Sequence, residues 1–188
     1  DEELQDDEPF LPDYRDRQSF ARRILPILLA GVDDEQIRHL ALAGNEFPPG
    51  PFGERMVNDE LACLQAFVAK LAPQLAEQPL PAVHASFDHP LAGENWQLAG
   101  TLSDLRSPGL LRYRYDEVRA ADYLAGWINH LFLCAAAPAE VVRKTTWHSR
   151  DGSYCLRPLD AQAARAHLGE LIVLYRDGLS APLHFFPK

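Results

Sequence analysis

The sequence predicts an α/β chain of the α+β kind, in which helices flank a mixed sheet. Three observations carry that reading. Apolar residues recur at helical spacing in the first third and in two later segments. Between Ala82 and Tyr115 they alternate at strand spacing. Hairpin turn residues occur on both sides of a helix long enough to be a crossover, so the sheet should contain antiparallel and parallel pairs. No internal repeat is visible.

The first helix spans Arg15 to Ala30, with Phe20, Ile24, Ile27 and Leu28 on one face and Gly31 as its stop. Pro26 should kink it, because proline lacks the amide donor and its ring clashes with the preceding turn. Asp33 or Asp34 caps a short second helix through Leu42, ending near Gly44. Phe47-Pro48-Pro49-Gly50-Pro51-Phe52-Gly53 reads as a loop, and the stripe Leu61, Leu64, Val68, Leu71 and Leu75 as a third helix.

Strands are expected at Ala82–Phe87, Trp96–Leu105 and Gly109–Tyr115. Trp96, Leu98, Gly100 and Leu102 share one face. Ser107-Pro108-Gly109-Leu110 forms a type II turn with proline and glycine at its centre, and the return strand sets Leu111, Tyr113 and Tyr115 against Arg112 and Arg114. A largely apolar helix from Arg119 to Ala136, carrying Leu124, Trp127, Ile128, Leu131 and Ala135, should be central. Val141–Trp147 and Tyr154–Leu156 then form a hairpin around Asp151-Gly152. Asp160 caps a last helix with Ala164, Leu168, Leu171 and Tyr175 on one face and Gly178 at the stop.

At 188 residues and 47% hydrophobic, the chain is long enough for one substantial core. The net charge is −9, but Asp1, Glu2, Glu3, Asp6, Asp7 and Glu8 leave 18 basic against 21 acidic residues behind them. Residues 1–14 are therefore read as an acidic linker, and 15–188 as one domain of nearly balanced charge. The missing initial methionine and the apolar ending Phe185-Phe186-Pro187-Lys188 lead to the expectation of a piece cut from a larger protein. No apolar run has the length of a membrane span, and Cys63, Cys134 and Cys155 are scattered, so a reduced cytoplasmic setting is expected.

Several constellations read as ordinary structure. His84, Asp88 and His89 lack the spacing and the further ligand of a metal site. His148, Ser149 and Asp151 contain the residue types of a hydrolytic triad, but they are neighbours at a turn, whereas a triad needs three converging elements. No glycine-rich phosphate loop is present. Arg15, Arg17, Arg22 and Arg23 are diluted by Asp13 and Asp16 and read as a solvated face. Phe47 and Phe52 either plug their loop onto the core or equip it for binding.

The Trp96–Tyr115 hairpin is more informative, because it resembles the metal site of PD-(D/E)xK nucleases. There one aspartate stands on the first strand and a carboxylate-x-lysine pair on the second. On this sequence those positions fall at Ser103, Arg112 and Arg114. Divalent magnesium is held by oxygen ligands, and two guanidinium groups repel it. The arginines either pair internally with Asp104, Asp116 or Glu117, which is the reading preferred here, or contact DNA phosphate. No catalytic, metal or cofactor site is expected. The alternative is an active magnesium-dependent nuclease with a shifted motif, using Asp88, Asp104 or Asp116. The absence of a carboxylate-x-lysine between Arg112 and Glu117 counts against it.

With these residues in view, the chain resembles the C-terminal domain of the gamma subunits (RecC) of bacterial exodeoxyribonuclease V, the RecBCD helicase-nuclease. The resemblance runs from Glu8-Pro9-Phe10 through Pro48–Glu54, Gly100-Thr101-Leu102 and Gly109–Arg114. It continues through Trp127–Leu131 with Cys134-Ala135, and through Tyr175–Leu183. The resemblance implies a restriction-endonuclease-like fold without nuclease activity. It also implies assembly with the alpha subunit (RecD) and the beta subunit (RecB), and strand guidance at a DNA fork during break repair and recombination. A tight DNA binder should be basic, since counterion release from phosphate contacts drives affinity, so this domain alone is expected to bind DNA weakly.

Overall fold

A computed structural model describes residues 13–91 and 93–182, and along the chain these divide into two compact units between Lys70 and Leu71. Residues 1–12 of the expected linker, with Glu8-Pro9-Phe10, and the segment from Leu183 to Lys188 lie outside the described residues.

The first unit is helical. Helix α1 (Tyr14–Leu29) begins at Asp13, whose carboxylate accepts the amides of Arg15 and Asp16, while Asp16 returns the bond to the Asp13 amide. Pro26 lies inside α1, as the sequence predicts. Helix α2 (Asp34–Leu42) is capped by Asp33 and packs on α1. Helix α3 (Pro51–Leu75) starts earlier than expected: Pro51, Phe52 and Gly53 form its first turn rather than the end of a loop. Proline suits that position because the amide it lacks would have no helical partner there, and its fixed φ is already helical. Phe47 is buried edge-on against Phe20, with centroids 5.2 Å apart, whereas Phe52 is 58% exposed. The loop is therefore plugged by one aromatic and not by the other.

In the second unit, strands β1 (Val83–Leu91) and β2 (Glu94–Leu102) form an antiparallel ribbon in register from Val83↔Leu102 to Leu91↔Glu94. A second sheet orders β3 (Leu105–Arg106), β4 (Gly109–Tyr113), β5 (Thr145–His148) and β6 (Ser153–Leu156) as β3-β4-β5-β6. Its outer pairs are antiparallel and β4–β5 is parallel, so the unit is mixed, as the turns and crossover predict. Helix α4 (Ala120–Ala136) makes the crossover and packs on both sheets and on helix α5 (Ala161–Ser180). Leu131, Leu133 and Cys134 of α4 are fully buried.

Several boundaries differ from expectation. The predicted strand Trp96–Leu105 is two strands, because Asp104 takes a left-handed φ of 61° that no extended strand accommodates. Its first part pairs with β1 and only Leu105–Arg106 pairs with β4. The turn lies one residue earlier than predicted. Arg106 pairs with Gly109, so Ser107-Pro108 is the connection. Gly109 serves the sheet: its φ is 125° and it lies so close to the Lys144 carbonyl that a side chain would collide. The predicted strand from Val141 begins only at Thr145, α5 runs past Gly178 to Ser180, and Tyr175 is 64% exposed instead of core-facing.

Candidate functional site

The α4-facing side of β4 gathers the charged residues singled out in the sequence. Arg112 lies on β4 and Arg114 one residue past its end, where the Arg114 amide still donates to the His148 carbonyl at 3.0 Å, so strand phase carries both to one face. The Arg112 guanidinium donates to Asp104 Oδ2 at 2.7 Å and to Asn129 Oδ1 at 3.2 Å. Ser103 Oγ donates to the same Asp104 oxygen at 3.1 Å. Ser103 and Arg112 thus meet through a carboxylate, although Ser103 lies in the break after β2 and not on a strand beside β4.

Arg114 is held more tightly. One guanidinium nitrogen lies 2.6 Å from Asp122 Oδ2, 3.1 Å from the Glu117 carbonyl and 3.4 Å from Asp116 Oδ2. Asp122, in the first turn of α4, also accepts the Arg119 amide at 2.8 Å, and so fixes the helix start and the arginine together. Arg119 reaches Asp116 at 3.5 Å, and Arg150 reaches Glu117 at 3.6 Å. Asp122 and Asn129 are the partners that sequence reading missed. An acid three residues after a helix cap was the available signal for Asp122.

Chemically this face is neutralised from within. A magnesium site of the nuclease type needs converging, uncommitted oxygens. Here the three positions offer a hydroxyl and two guanidinium groups, and Asp104 and Asp116 are engaged by arginines, so the donor set does not fit that ion. Among the described residues, no group of three or more His, Cys, Asp or Glu side chains is arranged to hold a metal.

The remaining candidates do not converge. His84 and Asp88 share the exposed face of β1, bonded to Thr101 and Gln97, while His89 points to the other face. His148 contacts Gln74 Nε2 at 2.8 Å and Ser153 Oγ at 2.7 Å. Because an amide nitrogen only donates, Nε2 of His148 accepts and its proton sits on Nδ1. Ser149 instead donates to Asp151 at 2.8 Å, and that bond holds the Asp151 carboxyl below its ordinary range. These residues build the β5–β6 turn. Arg23 of the first-helix cluster is paired with Glu46 at 2.7 Å and keeps that acid's pKa low. No described helix is long and apolar enough to cross a membrane.

A family model for the RecC C-terminal domain matches residues 1–188. The chain belongs to that family. It is 30% identical to the RecBCD enzyme subunit RecC of Escherichia coli K12 over 188 residues, which is all of this chain and 16% of that protein. Against the RecBCD enzyme subunit RecC of Buchnera aphidicola it is 30% identical over 90 residues, which is 48% of this chain and 8% of that protein. In this RecC C-terminal domain, Arg112, Arg114, Arg119 and Arg150 each meet a carboxylate.

Proposed function

We propose that this RecC C-terminal domain is a non-catalytic module of the gamma subunit of an exodeoxyribonuclease V helicase-nuclease acting in DNA repair and recombination in the cytoplasm. Its role is assembly, docking the alpha subunit beside the beta subunit, together with guidance of DNA strands inside the complex. In this reading residues 15–188 are a degenerate PD-(D/E)xK-type domain, with Ser103, Arg112 and Arg114 at the former metal positions and no cofactor.

The observation that carries the reading is the pairing of Arg112 with Asp104 and of Arg114 with Asp122 and Asp116. Arginines committed to carboxylates leave neither oxygens for magnesium nor free cations for tight phosphate binding. Arg112 and Arg114 are thus at most weak DNA contacts in the isolated domain.

The test is titration calorimetry of the chain against purified alpha subunit, with and without magnesium. Saturable binding that ignores the metal is expected, and absence of binding would remove the docking role. Incubation with linear DNA and magnesium should give no cleavage. Cleavage that Asp104→Ala abolishes would replace this reading with an active nuclease.

A further inference from the structure

A slot of about 340 Å³ opens between the β1–β2 ribbon and α5. Phe87 and His89 of β1 and Leu98 of β2 line one side, and Arg165, Leu168 and Ile172 of α5 line the other. Its size falls within the range of small-molecule pockets, at the low end of roughly 300–1,000 Å³. Its lining is mixed: Phe87, Leu98, Leu168 and Ile172 are apolar, while Ser86, Asp88, His89 and Arg165 are polar or charged. Two of the polar groups matter most.

Arg165 is the first. Its guanidinium sits over the Phe87 ring, 5.1 Å from the centroid, and makes only a long 3.4 Å bond to the Ala135 carbonyl. Among the described residues no carboxylate pairs with it, in contrast to Arg112, Arg114, Arg119 and Arg150. An arginine held by a ring and a carbonyl keeps most of its five donors for something else.

His89 is the second, and its position is built. A side chain at Gly169 would bring its Cβ to 2.5 Å from His89 Cε1, so the imidazole lies directly on bare helix backbone. A glycine inside a helix destabilises it relative to alanine, because the backbone has more freedom to lose. What that cost provides here is room for His89. Among the described residues neither ring nitrogen of His89 has a hydrogen-bond partner.

The two groups are aligned. Arg165 and Gly169 are one turn apart on α5, and Phe87 and His89 are two residues apart on β1, so Arg165 over Phe87 and His89 on Gly169 form neighbouring rungs about 6 Å apart. Ser86 and Asp88 reach the mouth from the opposite strand face, where Asp88 takes the Gln97 amide at 3.4 Å. The slot therefore offers one guanidinium without a carboxylate partner and one imidazole beside the apolar side chains of Leu98, Leu168 and Ile172, with the Asp88 carboxylate also in its lining.

We propose that this slot binds a small amphipathic anion, with a phosphate or carboxylate between Arg165 and His89 and an apolar or aromatic body against Leu98, Leu168 and Ile172. The ligand is bound and not transformed. The site is independent of the assembly reading, because it touches neither the β4 arginines nor their acids.

The test is an amide-shift NMR titration of the 188-residue chain with phenyl phosphate, with phenylacetate and with uncharged benzyl alcohol. At least one anion should saturate with a Kd of about 1 mM or tighter, shifting Phe87, His89, Arg165 and Gly169, and benzyl alcohol should bind about tenfold more weakly. The tighter anion identifies the head group as phosphate ester or carboxylic acid. Arg165→Leu should weaken binding by about tenfold while amides near Arg114 stay in place, and Gly169→Ala should do the same by displacing His89. If Gly169→Ala fails to fold, Arg165→Leu decides alone. No saturation by either anion, shifts that map elsewhere, or undiminished binding to Arg165→Leu would overturn the proposal.

Discussion

Two faces of the second unit treat their arginines in opposite ways. Between β4 and α4, each arginine meets a carboxylate, and the acids Asp116 and Asp122 are themselves mostly buried. Between β1 and α5, Arg165 meets a ring and a carbonyl. Arg112 and Arg114 are partly buried and need their lost hydration replaced, which a carboxylate within 3 Å does well, whereas Arg165 is exposed and keeps much of its water. The first face is thus tied into the fold, and its charges are needed where they stand. The second leaves a cation whose removal the fold should tolerate.

The largest effect that follows is at Asp122. Asp122→Ala removes the closest partner of Arg114 and the acceptor of the Arg119 amide, and should cost about 2–4 kcal/mol in urea unfolding. Arg114→Met should cost less, about 1–2 kcal/mol, because the arginine is 40% exposed and Asp122 keeps its bond to the helix start. The reverse order would mean that the arginine's own packing, and not the acid's dual role, holds this face together.

Next comes His130, which pins α4 to the same sheet. It is fully buried, its Nε2 donates to the Arg157 carbonyl at 2.8 Å, and its Nδ1 accepts from Thr145 Oγ1 at 3.0 Å. Burial disfavours the charged ring and pushes its pKa below the ordinary histidine value, and in the neutral form Nδ1 is free to accept from Thr145. A base with a depressed folded pKa binds its proton more readily when unfolded. Its contribution is thus whole above the unfolded value near ~6.5 and is lost as pH falls toward the folded one, with a slope of at most about 1.4 kcal/mol per pH unit. Unfolding free energies at pH 7.5 and 5.5 should diverge accordingly, and His130→Gln should flatten the dependence. Tyr154, whose hydroxyl donates to the Asp122 carbonyl, is pushed up to about 12, chiefly by burial, and stays neutral across that window.

What could be read from the sequence follows the range of the interactions. Asp160 was recognisable as a cap, and the cap of α2 as either Asp33 or Asp34, because a cap bonds amides two or three residues away. Asp151-Gly152 was recognisable because the turn chemistry is local. The pairing of β2 was not, since alternation says which residues share a face and nothing about which strand lies beside them. Only the left-handed Asp104 separates β2 from β3, and aspartate is merely tolerant of that conformation. The internal pairing of the two β4 arginines was anticipated from acids within eight residues, yet Asn129, on the second turn from the end of a helix that must first cross the sheet, was not. Gly169 carried a signal that went unused: a glycine inside a helical stripe often marks a close approach.

The smaller predictions separate the two faces most sharply. Arg112→Met gives up one ion pair to the exposed Asp104 and one bond to Asn129, and should cost about 0.5–1 kcal/mol. Arg165→Leu should change unfolding free energy by no more than about 0.5 kcal/mol. The cation over Phe87 is lost, but leucine covers the same ring with apolar surface, and the 3.4 Å bond to the Ala135 carbonyl is too long to contribute much. Urea curves for wild type and the two variants, fitted with a common m-value, measure the difference directly. If Arg165→Leu proved as costly as Arg114→Met, Arg165 would belong to the fold's own packing, and the contrast between the faces would disappear. A neutral result leaves a cation that the fold holds over an apolar slot and does not need for its own stability.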